Sequence, residues 1–426
     1  MKGKVNYKIF PFLLAICLLV GTIFAAMQQS KQLHLDATNP STSNSSKTDS
    51  GEANAKIVRT NTIPNTEMRA VWVPFMALDL KGKECNEETF KEKFDCIIED
   101  SKKYGINTLI VHVRPFGDAL YPSSIYPWSH LLTGTQGTDP GFDPMNYMID
   151  ATHNASMKFH AWINPLRIQT NETPGILSEV NPYNKWRKDT DPSNDEWVLD
   201  WGKDKYYNAA YPQVRQTIID GIKEIVENYP VDGIHFDDYF YPTEDPSYDK
   251  VSYDEYCKSV ANGANPLSQF EWRIANINAL ITGVYSAIKS ADPAIQFGIS
   301  PQANIENDKK MSADVESWAS KKGYVDYLCP QLYVNFDHPI LPYNKAVDQW
   351  NSLITCNEVK YYIGLGVYKA GSNADNGSWQ SSSDILRKQI EYGRTAGCDG
   401  FMLYSWEYLS KDQTALEIAN AMKVLK

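Results

Sequence analysis

The chain has 426 residues, 22% of them charged and 42% hydrophobic, and a formal net charge of −11. That balance describes a folded globular protein long enough for one large domain with appendages. The acidic excess argues against a nucleic-acid partner, which would require a basic face.

The chain opens with Lys2, Lys4 and Lys8 ahead of the almost wholly apolar run Ile9–Ala26. A charged start followed by an apolar run is the pattern of an export signal. The run is eighteen residues long, which is also just enough to span a bilayer. Residues 1–27 therefore read as a signal peptide if cleaved and as a membrane anchor if not. Either way the bulk is expected outside the cytoplasmic membrane, extracellular or at the cell surface. Residues 28–65 are rich in Ser, Thr, Asn and Lys and lack apolar periodicity, which predicts a disordered linker. The folded unit is expected over residues 66–426.

From there strand and helix signals alternate, which predicts a parallel sheet. The first strand is Met68–Val73, followed by a helix over Glu87–Tyr104. The second is Asn107–Val113, with a helix over Pro144–Ser156 that Asp143 caps and Pro144 opens. The third is Lys158–Ile163; a long excursion, Asn164–Tyr211, precedes a helix over Gln213–Asn228. The fourth lies in Val231–Tyr239, ahead of a second long loop and a helix over Leu267–Ser290. Strands follow at Gln296–Ser300, Tyr327–Leu332, Tyr361–Leu365 and Gly400–Tyr404. Their helices are Ala313–Lys321, Tyr343–Cys356, Ser383–Ala396 and Gln413–Val424. Eight such units predict an α/β fold, a closed (β/α)8 TIM barrel with enlarged βα loops. A doubly wound sheet would need a phosphate-binding glycine turn after its first strand. Gly364-x-Gly366 follows the seventh strand and lacks the third glycine.

A barrel keeps its chemistry at the C-terminal ends of its strands, and this sorts the acids. Asp232, Asp326 and Asp399 stand at or before strand starts and are expected to cap or pair there. Asp237, Asp238 and Glu407 stand at the ends of strands four and eight and are the candidate catalytic groups. Other polar and aromatic tips gather at the same end. Candidates for substrate binding are His112, Arg114, Trp162, Asn164, His235, Gln302, Gln331, Tyr333 and Trp406. Parity places His112 with Arg114, and His235 with Asp237, on common strand faces. His235 alone also reads as a hydrogen-bonded core histidine. Together the tips describe a pocket for a polyhydroxylated ligand, with ring faces to stack on sugars. Neither a metal nor another cofactor is expected: the first strand carries no His-x-His, and the seven cysteines show no Cys-x-x-Cys spacing. The cysteines beyond the leader are expected to be mostly free, buried thiols.

Met68-Arg-Ala-Val-Trp-Val73, Val111-His-Val-Arg-Pro115, Pro140-Gly-Phe-Asp-Pro144, Phe159-His-Ala-Trp-Ile-Asn-Pro165, Asp232-Gly-Ile-His-Phe-Asp-Asp-Tyr239 and Pro330-Gln-Leu-Tyr333 occur in order. In these motifs the chain resembles the glycosyl-hydrolase-like family 10, formerly domain of unknown function 187. The resemblance implies a TIM-barrel glycoside hydrolase acting outside the cytoplasm, some relatives being implicated in cleaving peptidoglycan glycan strands freed of peptides. It places the active-site carboxylate at Asp237 and mouth residues at His112, Arg114, Asn164, Asp238, Gln331 and Tyr333. The fourth-strand stretch is also similar to the chitinase-like family 18 motif D-G-x-D-x-D-x-E, but His235 and Tyr239 stand where that motif has its middle Asp and its Glu. Two functions follow as expectations: a glycoside hydrolase acting on a polysaccharide, or a non-catalytic barrel that holds carbohydrate or cell wall. Hydrolysis would use two carboxyl groups, Asp237 as acid or acid/base, facing Glu407 from the opposite strand or Asp238 beside it.

Overall fold

The computed structural model describes residues 67–425 except Asn262. The expected export segment and linker, residues 1–65, lie outside the described residues. Eight parallel strands close into a barrel in the order one, eight, seven, six, five, four, three, two. They are Met68–Val73, Thr108–Arg114, Lys158–Ile163, Gly233–Phe236, Gln296–Ile299, Tyr327–Leu328, Lys360–Gly366 and Gly400–Tyr404. Strands four and eight therefore face one another across the barrel.

Local chemistry explains the helices between them. Asp143 Oδ1 accepts from the N–H groups of Met145 and Asn146, with Pro144 opening the helix Pro144–Asn154. Asn86 caps Glu87–Lys103 through the Thr89 N–H, and Ser268 with Glu271 forms a capping box at the start of Gln269–Ala291. Their apolar faces bury Phe90, Phe94, Ile277 and Leu280 in the layer between helices and barrel.

The strand polarity is visible in the three acids at strand starts. Asp232 Oδ2 accepts from the Phe159 N–H at 2.9 Å, Asp326 Oδ2 from the Phe297 N–H at 2.6 Å, and Asp399 Oδ2 from the Tyr361 N–H at 2.9 Å. Each carboxylate completes the ladder of a neighbouring strand at the end away from Asp237.

The barrel interior is filled by Met68, Ala70, Trp72, Ile110, Trp162, Tyr327, Tyr362 and Met402, with two histidines among them. A side chain at Gly298 would place its Cβ 2.0 Å from the Tyr327 ring, and one at Gly233 would meet His160 at 2.5 Å. These two glycines make room for the large rings of the adjacent strands. Tyr327 Oη lies 3.1 Å from His160 Nδ1 and 3.0 Å from His235 Nδ1. Trp72 Nε1 donates to His235 Nε2 at 3.1 Å. His235 is thus a satisfied core residue, with no solvent exposure. This corrects the expectation that it touches substrate: its ring is consumed by Trp72, Tyr327 and Ser300.

The sixth strand is shorter than its apolar run predicts. Pro330 has no N–H to donate, and beyond Leu328 only single bridges remain, Gln331 with Gln302 and with Gly364. The excursion after strand three is not irregular: Arg167–Gln169, Val198–Trp201 and Asp204–Tyr207 form a small antiparallel sheet, with Asp204–Tyr207 in the centre. The helix Pro182–Lys188 packs on it through Trp186, 5.2 Å from Trp197. The cysteines among the described residues form no disulfide, and Cys329, Cys356 and Cys398 are buried, whereas Cys85 and Cys96 are exposed. No helix among the described residues is long and apolar enough to cross a membrane.

Candidate active site

Asp237 follows the fourth strand directly, and its carboxylate is almost fully buried. Trp162 Nε1 donates to Oδ2 at 3.1 Å, and Asn164 Nδ2 lies 3.0 Å from Oδ1 and 3.2 Å from Oδ2. Both donors come from the end of strand three, registered beside strand four through Trp162 and His235. Burial pushes the Asp237 carboxyl up to about 6; Arg167 opposes this, the neighbouring Asp238 adds to it, and the Trp162 N–H pulls it back. Such a group holds its proton in mildly acid solution and releases it near neutrality, as a general acid/base requires.

Asp238 is held separately. Its Oδ1 accepts from Gln331 Nε2 at 2.8 Å, and the same amide reaches the Ser300 carbonyl at 3.0 Å. Burial raises its carboxyl too, with the Gln331 and Gln302 amides lowering it. A third acid, Asp308, is buried behind Gln302, whose backbone N–H it accepts at 2.9 Å. Among the described residues no group of three or more His, Cys, Asp or Glu side chains is placed to hold a metal ion.

On the other side of the mouth the rings gather. Tyr333 and Tyr404 stack with centroids 5.6 Å apart, and Tyr368 stands edge-on to both. Glu407 lies in the turn Trp406–Tyr408 just past strand eight and accepts from Ser405 Oγ at 2.5 Å. Burial and then the Glu407 charge push the Tyr404 phenol up to about 12, and Asp237 acts on it in the same direction. Tyr404 therefore stands within electrostatic reach of both carboxylates. Trp406 is half-buried, its Nε1 without a hydrogen-bond partner among the described residues.

His112 lies flat on Trp162, with centroids 3.7 Å and planes 8° apart. Burial, then Arg167, pushes its imidazole well below the usual range, so the ring is neutral. Arg114 does not share its face. A bulge between His112 and Arg114 shifts the register, so that His112 pairs with Trp162 but Arg114 with Ile163. The Arg114 guanidinium consequently lies 4.6 Å from the centroid of Tyr126, among rings of the layer outside the barrel. This corrects the parity argument that put Arg114 in the mouth.

The cation of the site is one that sequence reasoning missed. Arg167, the first residue of the small antiparallel sheet, is fixed by its N–H to Asn164 Oδ1 at 2.9 Å and its Nε to the Pro115 carbonyl at 3.0 Å. Its guanidinium lies 5.0 Å over Tyr239, and its charge acts on Asp237, Asp238 and His112. Its signal in the sequence was slight: a basic residue three positions past a strand-ending Asn.

Residues 67–381 match the family described as Glycosyl hydrolase-like 10. The chain is 32% identical over 381 residues to the glycosyl hydrolase YngK of Bacillus subtilis, covering 84% of this chain and 71% of that protein. It is 32% identical over 380 residues to the glycosyl hydrolase DigH of Escherichia coli, covering 82% of this chain and 83% of that one. Among solved structures, the glycoside hydrolase domain of PgaB (BpsB) from Bordetella bronchiseptica superposes with a TM-score of 0.52 at 14% identity, over 84% of this chain and 100% of that domain. An endo-1,4-beta-mannanase from Rhizomucor miehei does so with a TM-score of 0.51 at 10% identity, over 84% and 95%. At such identities the superpositions speak for the barrel, and the sequence match for the family. The chain belongs to the glycosyl hydrolase-like 10 family and is a glycoside hydrolase.

Proposed function

We propose that this enzyme is exported and cleaves a cell-envelope polysaccharide, namely peptidoglycan glycan strands, with Asp237 as the general acid. The buried Asp237 carboxyl, poised near pH 6 between Trp162 and Asn164, carries the reading. A protonated Asp237 gives its proton to the glycosidic oxygen as the bond to the anomeric carbon breaks. Glu407 supplies the second carboxyl from the opposite strand, as nucleophile or as base for the attacking water. Gln331 holds Asp238 in place beside Asp237, and the Tyr333–Tyr404 pair offers ring faces for sugars at neighbouring positions. The export reading rests on the Lys-flanked apolar run at the start of the chain, which leaves the protein cleaved or anchored in the membrane with its barrel facing the wall.

The test is release of new reducing ends from purified, peptide-free glycan strands, with chitin oligomers and α- and β-glucans as comparisons, between pH 4 and 8. Release from the wall glycan supports the proposal. Products from glucans alone remove the peptidoglycan substrate. Sedimentation with the wall without release at any pH turns the reading towards a non-catalytic wall-binding barrel.

A further inference from the structure

We propose that Arg167, together with His112, forms a subsite for a carboxylate-bearing sugar, so that the enzyme selects anionic glycans over neutral ones. The inference rests on the carbohydrate reading above and narrows the substrate class of the same site.

Arg167 is held from several sides. Its Nε is tied to the Pro115 carbonyl, its backbone N–H to Asn164, and its guanidinium lies between the rings of Phe116 and Tyr239, at 5.3 and 5.0 Å. What it lacks is an acceptor for its two terminal amino groups: among the described residues it forms no ion pair, and only its Nε donates from the side chain. Other arginines with a comparable setting behave differently. Arg273 forks onto Asp249 at 2.6 and 2.9 Å, and Arg394 forks onto Glu67 at 2.8 Å through two nitrogens. Both of those forks use Nε and one terminal nitrogen; Arg167 spends its Nε on Pro115 and keeps its two terminal amino groups free, its charge acting on Asp237.

A planar fork with unused donors matches a carboxylate in bidentate geometry. His112 adds a buried ring whose two nitrogens have no partner among the described residues. Because that ring is neutral, it offers one donor and one acceptor. One meets an oxygen of the ligand and the other a hydroxyl. Asp237 alone does not account for the free fork, because no ion pair forms between them. A neutral sugar in the same place would leave desolvated guanidinium donors unpaired, and a site of that kind discriminates strongly against the uncharged analogue.

Sugars that carry such a group include a muramic acid residue, with its carboxylate on an ether arm, and a hexuronate, with its carboxylate on C5. The experiment gives the full chain, purified in detergent, three substrates: peptide-free peptidoglycan strands, the same strands with their carboxylates converted to primary amides, and oligohexuronates. Reducing-end release and calorimetric binding are measured for the wild type, Arg167→Gln and Arg167→Lys, each at its own pH optimum, with thermal melting as the check of folding. The expected result is a preference of the wild type for free over amidated carboxylate by at least about 10-fold in kcat/KM or Kd, a difference of about 1.4 kcal/mol. Arg167→Gln should level that ratio, and Arg167→Lys should keep part of it. A higher rate on oligohexuronates than on strands supports the carboxylate class and moves it to C5. Equal use of free and amidated strands by the wild type, or a preference that survives Arg167→Gln, overturns the subsite. Cleavage of no glycan at all counts against the hydrolase reading instead, while the binding ratio still decides the carboxylate claim.

Discussion

The indole of Trp162 and the carboxylate of Asp237 share a hydrogen bond of 3.1 Å at the mouth of the barrel, while the same indole lies flat against His112 at 3.7 Å. One side chain thus sets both the orientation of the acid and one wall of the pocket. Its N–H favours the ionised carboxylate and lowers the Asp237 pKa. Trp162→Phe keeps a ring to stack on His112 but removes that donor. The Asp237 pKa should rise further above about 6, and the falling limb of kcat/KM with pH should move to higher pH, by less than about one unit. A pH–rate profile reads this directly; a limb that stays in place or moves to lower pH contradicts the coupling.

The raised pKa has a consequence for stability. Asp237 in the folded chain keeps its proton up to about pH 6, whereas an unfolded aspartate releases it near pH 3.9. Between those values the folded state binds more protons, so the wild type loses stability as pH rises through that window, by roughly 3 kcal/mol for such a shift. Asp237→Asn cannot ionise and escapes that loss. Relative to wild type, its melting temperature should therefore gain as pH goes from 4 to 7. Melting curves at several pH values test the sign, and a gap that is constant or narrows over this range is the contrary outcome.

A different result is expected deep in the barrel. Since the Trp72 N–H donates to His235 Nε2, the His235 proton sits on Nδ1 and points to Tyr327, which in turn donates to His160 Nδ1. Tyr327→Phe removes the hydroxyl that joins the two histidines and leaves two buried polar groups unsatisfied. Urea unfolding should report a loss of about 2–4 kcal/mol, with the folded fraction still active. Little change in stability contradicts the structural role of the network, and inactivation of a fully folded variant would place it in the catalytic site.

Much of the barrel was legible in the sequence. Strands one, three and eight run where their apolar and aromatic residues predict, because in-register parallel pairing rewards unbroken buried runs. The acids at opposite strand ends were also sorted by position alone, as the Asp232 contact with Phe159 and the Asp237 contact with Trp162 illustrate. What failed did so for local reasons. Side-chain parity holds only while the ladder is regular, and one extra residue between His112 and Arg114 sent the guanidinium to Tyr126. His235 shares a face with Asp237, but its depth in the barrel, set by Trp72 and Tyr327, is not encoded in periodicity. Arg167 was hidden because its three-residue strand is too short for an alternating pattern to emerge and pairs with Asp204–Tyr207 far along the chain.

The central claim is that Asp237 supplies the proton that breaks the glycosidic bond. It is tested most directly by reducing-end release from peptide-free glycan strands across pH 4–8 for wild type, Asp237→Asn and Asp232→Asn. Wild-type activity should fall as pH rises through about 6. Asp237→Asn should be slower by at least about 10²-fold, the scale of a lost general acid, yet remain folded and bind glycan within a few-fold. Asp232, which caps the Phe159 N–H and contacts His153 at the other end of the strand, should when changed to Asn lower the melting temperature and leave the folded fraction active. Full activity in Asp237→Asn, with activity lost in a folded Asp232→Asn, would contradict both the acid and the end of the barrel at which the chemistry is placed.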